Sequence, residues 1–156
     1  MGNLMRIALA QINTTVGDFA GNRAKIVAFA RQADSRGAQV VLFPELCLTG
    51  YGCEDLFLSE WLSETAGNKL LEIIPLCMNI TVCIGMPVRV AGITYNGICV
   101  IREGNILGIT LKQNLAKDGV HYEPRWFEPW PSGKVTDILF NGKQIPIGDL
   151  TYENNA

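Results

Sequence analysis

Residues 40 to 55 read "VVLFPELCLTGYGCED": an apolar run closed by a proline and a carboxylate, a Thr-Gly-Tyr-Gly turn, and two more acids. The run Val40 to Phe43 predicts a buried strand. Proline has no N–H to give a ladder, so Pro44 ends the strand and Glu45 falls at its carboxyl edge, where open α/β sheets place their binding crevice. A carboxylate there fits a catalytic base, although by position alone an edge glutamate is more often a solvated or helix-capping residue.

Outward from that strand the pattern is strand, helix, strand. "RIALAQI" (Arg6 to Ile12) predicts another buried strand. Between the two lies a helix with Ile26, Phe29, Ala30 and Ala33 on one face, Asn22 as the cap of its first turn and Gly37 as its stop. Such a unit implies a parallel strand pair with a right-handed crossover. "NKLLEIIPLCMN" follows as an amphipathic helix kinked or ended by Pro75, and "ITVCIGMPV" as a third buried strand.

Beyond it the chemistry changes to hairpins. "YNGICVIREGNILGITL" holds two β-rich runs around Glu103-Gly104-Asn105, and "ILFNGKQIPI" repeats the device at Asn141-Gly142, so the expected sheet is mixed. Lys112 closes the strand "ILGITL" and opens "KQNLAKDGVHYEPRWFEPW", a loop dense in charge and aromatic rings, as loops that line a site are. Lys112 also fits a surface lysine, and Trp126, Phe127 and Trp130 fit a cover for a sheet edge.

Composition limits the function classes. The 156 residues suit one domain, with 48% hydrophobic and 18% charged residues in the range of globular chains. A net charge of −2 gives no electrostatic reason to expect a nucleic-acid partner. The longest charge-free stretch, Ile73 to Val88, is too short for a bilayer and is broken by Pro75, Asn79 and Gly85, so no membrane span is expected. The N-terminus has no secretory h-region, and Arg6 stands where an acylation signal wants Ser or Thr; the expected location is cytoplasmic. Cys47, Cys53, Cys77, Cys83 and Cys99 include no C-x-x-C pair and His121 is the sole histidine, which argues against a metal site and for reduced, mostly buried thiols.

Three stretches together carry a resemblance: "FPELCLTGYG", "IGMPV" followed by "YNGICVI", and "LKQNLAKDGVHYEPRWFEPW". They resemble the glutaminase part of the glutamine-dependent NAD synthetases, a branch of the nitrilase superfamily, over nearly the whole chain. "GYGCED" and the pattern "LAKDG…EPRWFEPW" resemble especially the branch found in eukaryotes and some bacteria. The resemblance implies an αββα sandwich, here truncated, as a mixed sheet with helices on one face. Residues 1–156 are then the N-terminal part of a carbon–nitrogen hydrolase domain, with its remainder and the synthetase domain absent.

The same resemblance implies a Cys-Glu-Lys site, in which Glu45 matches the general base, Lys112 the lysine that stabilises the oxyanion, and Glu123 a supporting glutamate. Tyr51 is expected to shape the substrate pocket. The family's nucleophile follows a later apolar strand in a Cys-Glu-Asp or Cys-Glu-Glu motif, and the sequence stops at "IPIGDLTYENNA" before one occurs. Cys47 lies two residues from Glu45 and would share its face only on an extended backbone. Asp118 stands where some bacterial relatives have a tyrosine that takes part in glutamine recognition. The expectation is an inactive piece of a longer chain, no cofactor of its own, and a bare apolar edge and face seeking a partner. The parent would hydrolyse glutamine and pass ammonia to a synthetase domain using ATP and Mg, as a homo-oligomer. A different nitrilase-type amidase or carbamoylase, or a non-catalytic interaction module, are the rival readings.

Overall fold

In the computed structural model, which describes residues 4–150, seven strands form one sheet in the order β1-β2-β3-β4-β5-β7-β6. The strands are β1 (Ile7–Leu9), β2 (Val40–Leu42), β3 (Thr81–Val90), β4 (Ile93–Arg102), β5 (Asn105–Leu111), β6 (Val135–Phe140) and β7 (Lys143–Gly148). β1, β2 and β3 run parallel, β3, β4 and β5 alternate, and β7 returns parallel to β5 with β6 antiparallel outside it. The mixed sheet expected from the hairpin chemistry is what forms.

Two helices, α1 (Phe19–Ser35) and α2 (Glu60–Ile73), cross between the parallel strands. Ile26, Val27, Ala30 and Ala33 of α1 and Ala66, Leu70 and Ile73 of α2 share one core with Val41, Val82, Ile84, Met86, Ile109 and Ile147 of the sheet. The cap of α1 is Asp18, whose carboxylate accepts from the Gly21 N–H at 2.9 Å, and not Asn22. Asn22 lies inside the helix, fully buried, and its amide is consumed by the Thr15 N–H and the Thr15 and Leu48 carbonyls. A buried amide must find such partners; it ties the loop before α1 to the turn after β2. Phe29 turns outward, half exposed, while Gly37 ends the helix as expected at φ +74°.

α2 starts eight residues before the predicted window and stops at Ile73, where Pro75 converts the chain to a single 3-10 turn (Ile74–Leu76). Neither β1 nor β2 is buried on both faces. Ile7 is 57% and Leu9 75% exposed, with Leu42 beside them, so the helices cover one face of the sheet and leave this corner of the other bare. β1 is also an edge strand, and the expected apolar edge and face are present.

All three two-residue turns have left-handed backbones at both positions: Ala91-Gly92 between β3 and β4, Glu103-Gly104 between β4 and β5, and Asn141-Gly142 between β6 and β7. That is the type I′ geometry that matches strand twist. Asn105 already belongs to β5. The β3–β4 ribbon, ten residues a side, overshoots β2 and β5 and forms a wall at their carboxyl ends.

Candidate functional site

Glu45 and Lys112 leave the sheet at the same edge. β2 ends at Leu42, paired with Cys83, and the Phe43 N–H still reaches the Cys83 carbonyl at 3.0 Å. The turn that follows is held by the Gly50 N–H donating to the Leu46 carbonyl at 2.8 Å, with Leu46 itself at φ +49°. Gly50 sits at φ +85°, and a Cβ there would come within 2.8 Å of Val16 Cα, so only glycine closes this turn. Three strands away, β5 ends at Leu111 opposite Gly97, and the Lys112 N–H continues the ladder to the Asn96 carbonyl at 2.8 Å.

From these ends the side chains converge. Lys112 Nζ lies 2.7 Å from Glu45 Oε1 and 3.0 Å from Glu123 Oε2. Glu123 opens a short 3-10 turn (Glu123–Arg125) inside the aromatic loop and is fully buried. Its oxygens accept from the Ala116 N–H at 2.7 Å, Tyr51 Oη at 3.0 Å, Lys112 Nζ at 3.1 Å and, at 3.4 Å, Asn96 Nδ2. Lys112 and Glu45 keep access to solvent, with 25% and 42% of their side chains exposed.

The electrostatics follow from those partners. Burial by itself raises the Glu123 carboxyl, but the Ala116 N–H, the Lys112 ammonium and the Tyr51 hydroxyl together outweigh it and hold it below the ordinary glutamate value. Burial lowers Lys112, and the hydrogen bonds and charges of Glu45 and Glu123 more than reverse it, so the amine stays cationic. Burial, then the bond to Glu123, raises the Tyr51 phenol well above its usual range and keeps it a donor. One cation thus stands between two carboxylates, Glu123 buried and Glu45 open to solvent.

All four sequence-derived residues are therefore neighbours, with Tyr51 bonded to Glu123. Asn96 and the Ala116 N–H were not anticipated. The available signal for Asn96 was a lone amide in the otherwise apolar run "YNGICVI". Of the aromatic loop, Phe127 is buried against Phe57 at 4.8 Å between centroids, and Trp130 packs edge-on to Tyr95 at 5.0 Å.

The five thiols are free, all of them buried except Cys83, which is partly so. Cys47 does not share a face with Glu45, because the left-handed Leu46 between them turns the chain. Its Sγ–H points to the Gly85 carbonyl at 3.5 Å, and burial pushes the thiol up to about 12. Cys53 donates to the Thr49 carbonyl at 3.3 Å in a smaller core with Leu46, Phe57, Leu62 and Phe127. Among the described residues no three His, Cys, Asp or Glu side chains gather as metal ligands, and no helix is long and apolar enough to cross a membrane.

Residues 6–153 match the carbon–nitrogen hydrolase family. The glutamine-dependent NAD(+) synthetase of Xylella fastidiosa is 34% identical, covering 99% of this chain and 28% of its own. The crystal structure of a glutamine-dependent NAD(+) synthetase from Cytophaga hutchinsonii superposes with a TM-score of 0.91 at 44% identity, covering 95% of this chain and 26% of its own. An amidase from Nesterenkonia shares the fold, with a TM-score of 0.70 at 24% identity over 91% of this chain and 54% of its own. The chain thus spans about a quarter of the length of the synthetases it matches.

Proposed function

The chain belongs to the carbon–nitrogen hydrolase family, and from that premise we propose that Glu45, Lys112 and Glu123 are the acid–base and electrostatic half of a glutamine-hydrolysing site. The observation that carries the reading is the meeting of one ammonium with two carboxylates delivered from separate strand and loop ends, at 2.7 Å and 3.0 Å. The sequence relatives and the Cytophaga structure are glutamine-dependent NAD(+) synthetases, which supports glutamine as the amide.

The chemistry needs a thiol, and an unperturbed thiol of pKa about 8.5 is mostly protonated at neutral pH. Glu45 takes that proton as sulfur attacks the amide carbon, and returns it to the departing ammonia. Lys112 holds the oxyanion of the tetrahedral intermediate, and Glu123 and Tyr51 fix where its ammonium stands. By the family resemblance the thiol belongs to a part of the parent chain beyond Ala156; within the chain, Cys47 and Cys53, which flank the site in sequence, are committed to core hydrogen bonds. The 156-residue chain alone then turns over no glutamine. The released ammonia serves a synthetase domain of the parent, which amidates deamido-NAD with ATP and Mg.

The test is glutaminase assay of the full-length parent beside its Glu45→Gln and Lys112→Ala forms, with a carbamoyl compound and a small aliphatic amide as competing substrates. Loss of roughly 100-fold or more in kcat for each form supports the proposal. Unchanged turnover sinks it, and preference for the small amide reassigns the substrate.

A further inference from the structure

Two stretches far apart in sequence, "GYGCED" and "RWFEPW", meet on the surface beside the site. Arg125 Nε and Nη2 donate to the two oxygens of Asp55 at 2.7 Å and 2.9 Å, and Trp126 Nε1 donates to Asp55 Oδ1 at 3.0 Å. The carboxylate is held well below its usual range by the Arg125 and Trp126 bonds. All three donors sit within three residues of Glu123, and the acceptor sits four residues after Tyr51. The same two segments are joined a second time inside the site by the Tyr51–Glu123 bond at 3.0 Å, and Phe57, two residues after Asp55, packs on Phe127 and Trp126.

More than half of each charged side chain is exposed, and an ion pair of that kind adds little to stability. Its geometry is nevertheless specific, a fork on a carboxylate with an indole beside it. The backbone also bends to make it. Glu54, just before Asp55, stands at φ +50°, ψ −130°, a conformation that residues with a Cβ keep only when their surroundings enforce it.

We propose that Asp55 is a positioning residue for the glutaminase reaction: by clasping Arg125 and Trp126 it sets the separation of Tyr51 and Glu123, and through Glu123 it aims the Lys112 ammonium. The proposal rests on the function given above. Asp55 touches no reacting atom, and the groups that face Lys112 directly remain Glu45 and Glu123.

The experiment is a double-mutant cycle in the full-length parent with Asp55→Asn, Glu123→Gln and both together, and Arg125→Lys as the form that keeps the charge and loses the fork. Asp55→Asn is expected to lower kcat roughly tenfold with KM for glutamine nearly unchanged, a displaced group and not a lost contact. Arg125→Lys falls between, and the double form is no slower than Glu123→Gln alone. Additive losses, or an unchanged kcat, overturn the proposal. Hydrogen exchange supplies a reading without turnover: the Ala116 amide, bound by Glu123, exchanges faster in Asp55→Asn while the Lys112 amide, bound by Asn96, keeps its rate. If wild-type parent hydrolyses no glutamine, the functional reading falls; if the Ala116 amide is undisturbed, the clasp does.

Discussion

The Lys112 N–H donates to the Asn96 carbonyl at 2.8 Å, while the Asn96 side-chain amide faces Glu123 Oε1 at 3.4 Å. One residue of β4 therefore holds the lysine by its main chain and the lysine's counter-ion by its side chain. Asn96→Leu keeps the rung and removes the amide, leaving a fully buried carboxylate one donor short. Stability is expected to fall by about 1–3 kcal/mol in urea unfolding. Asn96→Asp should be worse, because it sets a second carboxylate against the first.

Acid sensitivity follows from Glu123. Its folded pKa lies below the ordinary value of 4.5, so the stability it contributes is whole above that pH and drains as pH falls through the folded value. Lys112 is shifted upward, and its contribution is whole below 10.5 and is lost only as pH rises through its folded value. The stability gap between wild type and Glu123→Gln should be flat at neutral pH and close in acid. Unfolding curves from about pH 2 to pH 7 check this, and a gap that widens in acid contradicts it.

Gly85 of β3 is the floor beneath Glu45. A Cβ there would stand 2.6 Å from Leu46 N and 2.9 Å from the Glu45 carbonyl carbon, and would overlap the Pro44 oxygen. These are backbone atoms, which cannot rotate away. Gly85→Ala must push residues 44–46 off the strand and move Glu45 from Lys112. The parent should lose roughly 100-fold in kcat, the scale of a misplacement near 1 Å, together with a lowered melting temperature.

Cys47 separates packing from chemistry. Its thiol is buried, pushed up to about 12, and bonded to Gly85. Cys47→Ala should cost about 1–2 kcal/mol of stability and leave glutamine turnover by the parent intact. Alkylation of native protein followed by mass spectrometry should label Cys47 far more slowly than in urea, since thiolate character and access control the reaction.

Much of the sheet was legible because its strands announce themselves. Glu103-Gly104 and Asn141-Gly142 carry recognisable turn chemistry, and Pro44 marks where β2 stops. Ala91-Gly92 lacks the usual Asn or Asp, so the β3–β4 turn went unseen although it builds the wall behind the site. The first half of α2, "EWLSETAG", interleaves the good helix formers Glu60, Leu62, Glu64 and Ala66 with Ser63, Thr65 and Gly67 and shows only a short apolar stripe, and burial of Leu62 and Ala66 secures it. For Asn22, local chemistry offered a cap, and a burial set by residues up to 26 positions away took the amide instead. Glu45 and Lys112 were placed by strand ends and by resemblance. Asn96 and the Ala116 N–H were not, because their roles arise from the overshoot of the ribbon and the fold of a long loop, which have no local periodicity.

Two of the three tight turns, Ala91-Gly92 and Glu103-Gly104, also imply an order of folding. Turns of two residues bring β3, β4 and β5 together by neighbouring contacts, and hairpins of this kind form in microseconds; joining β1, β2 and β3 requires whole helices to be threaded first. Lys112 is therefore expected on the half that forms early and Glu45 on the half that forms late, with the cleft completed when the crossover-linked half docks onto the ribbon. Pulse-labelling during refolding should accordingly protect the Lys112 amide before that of Phe43.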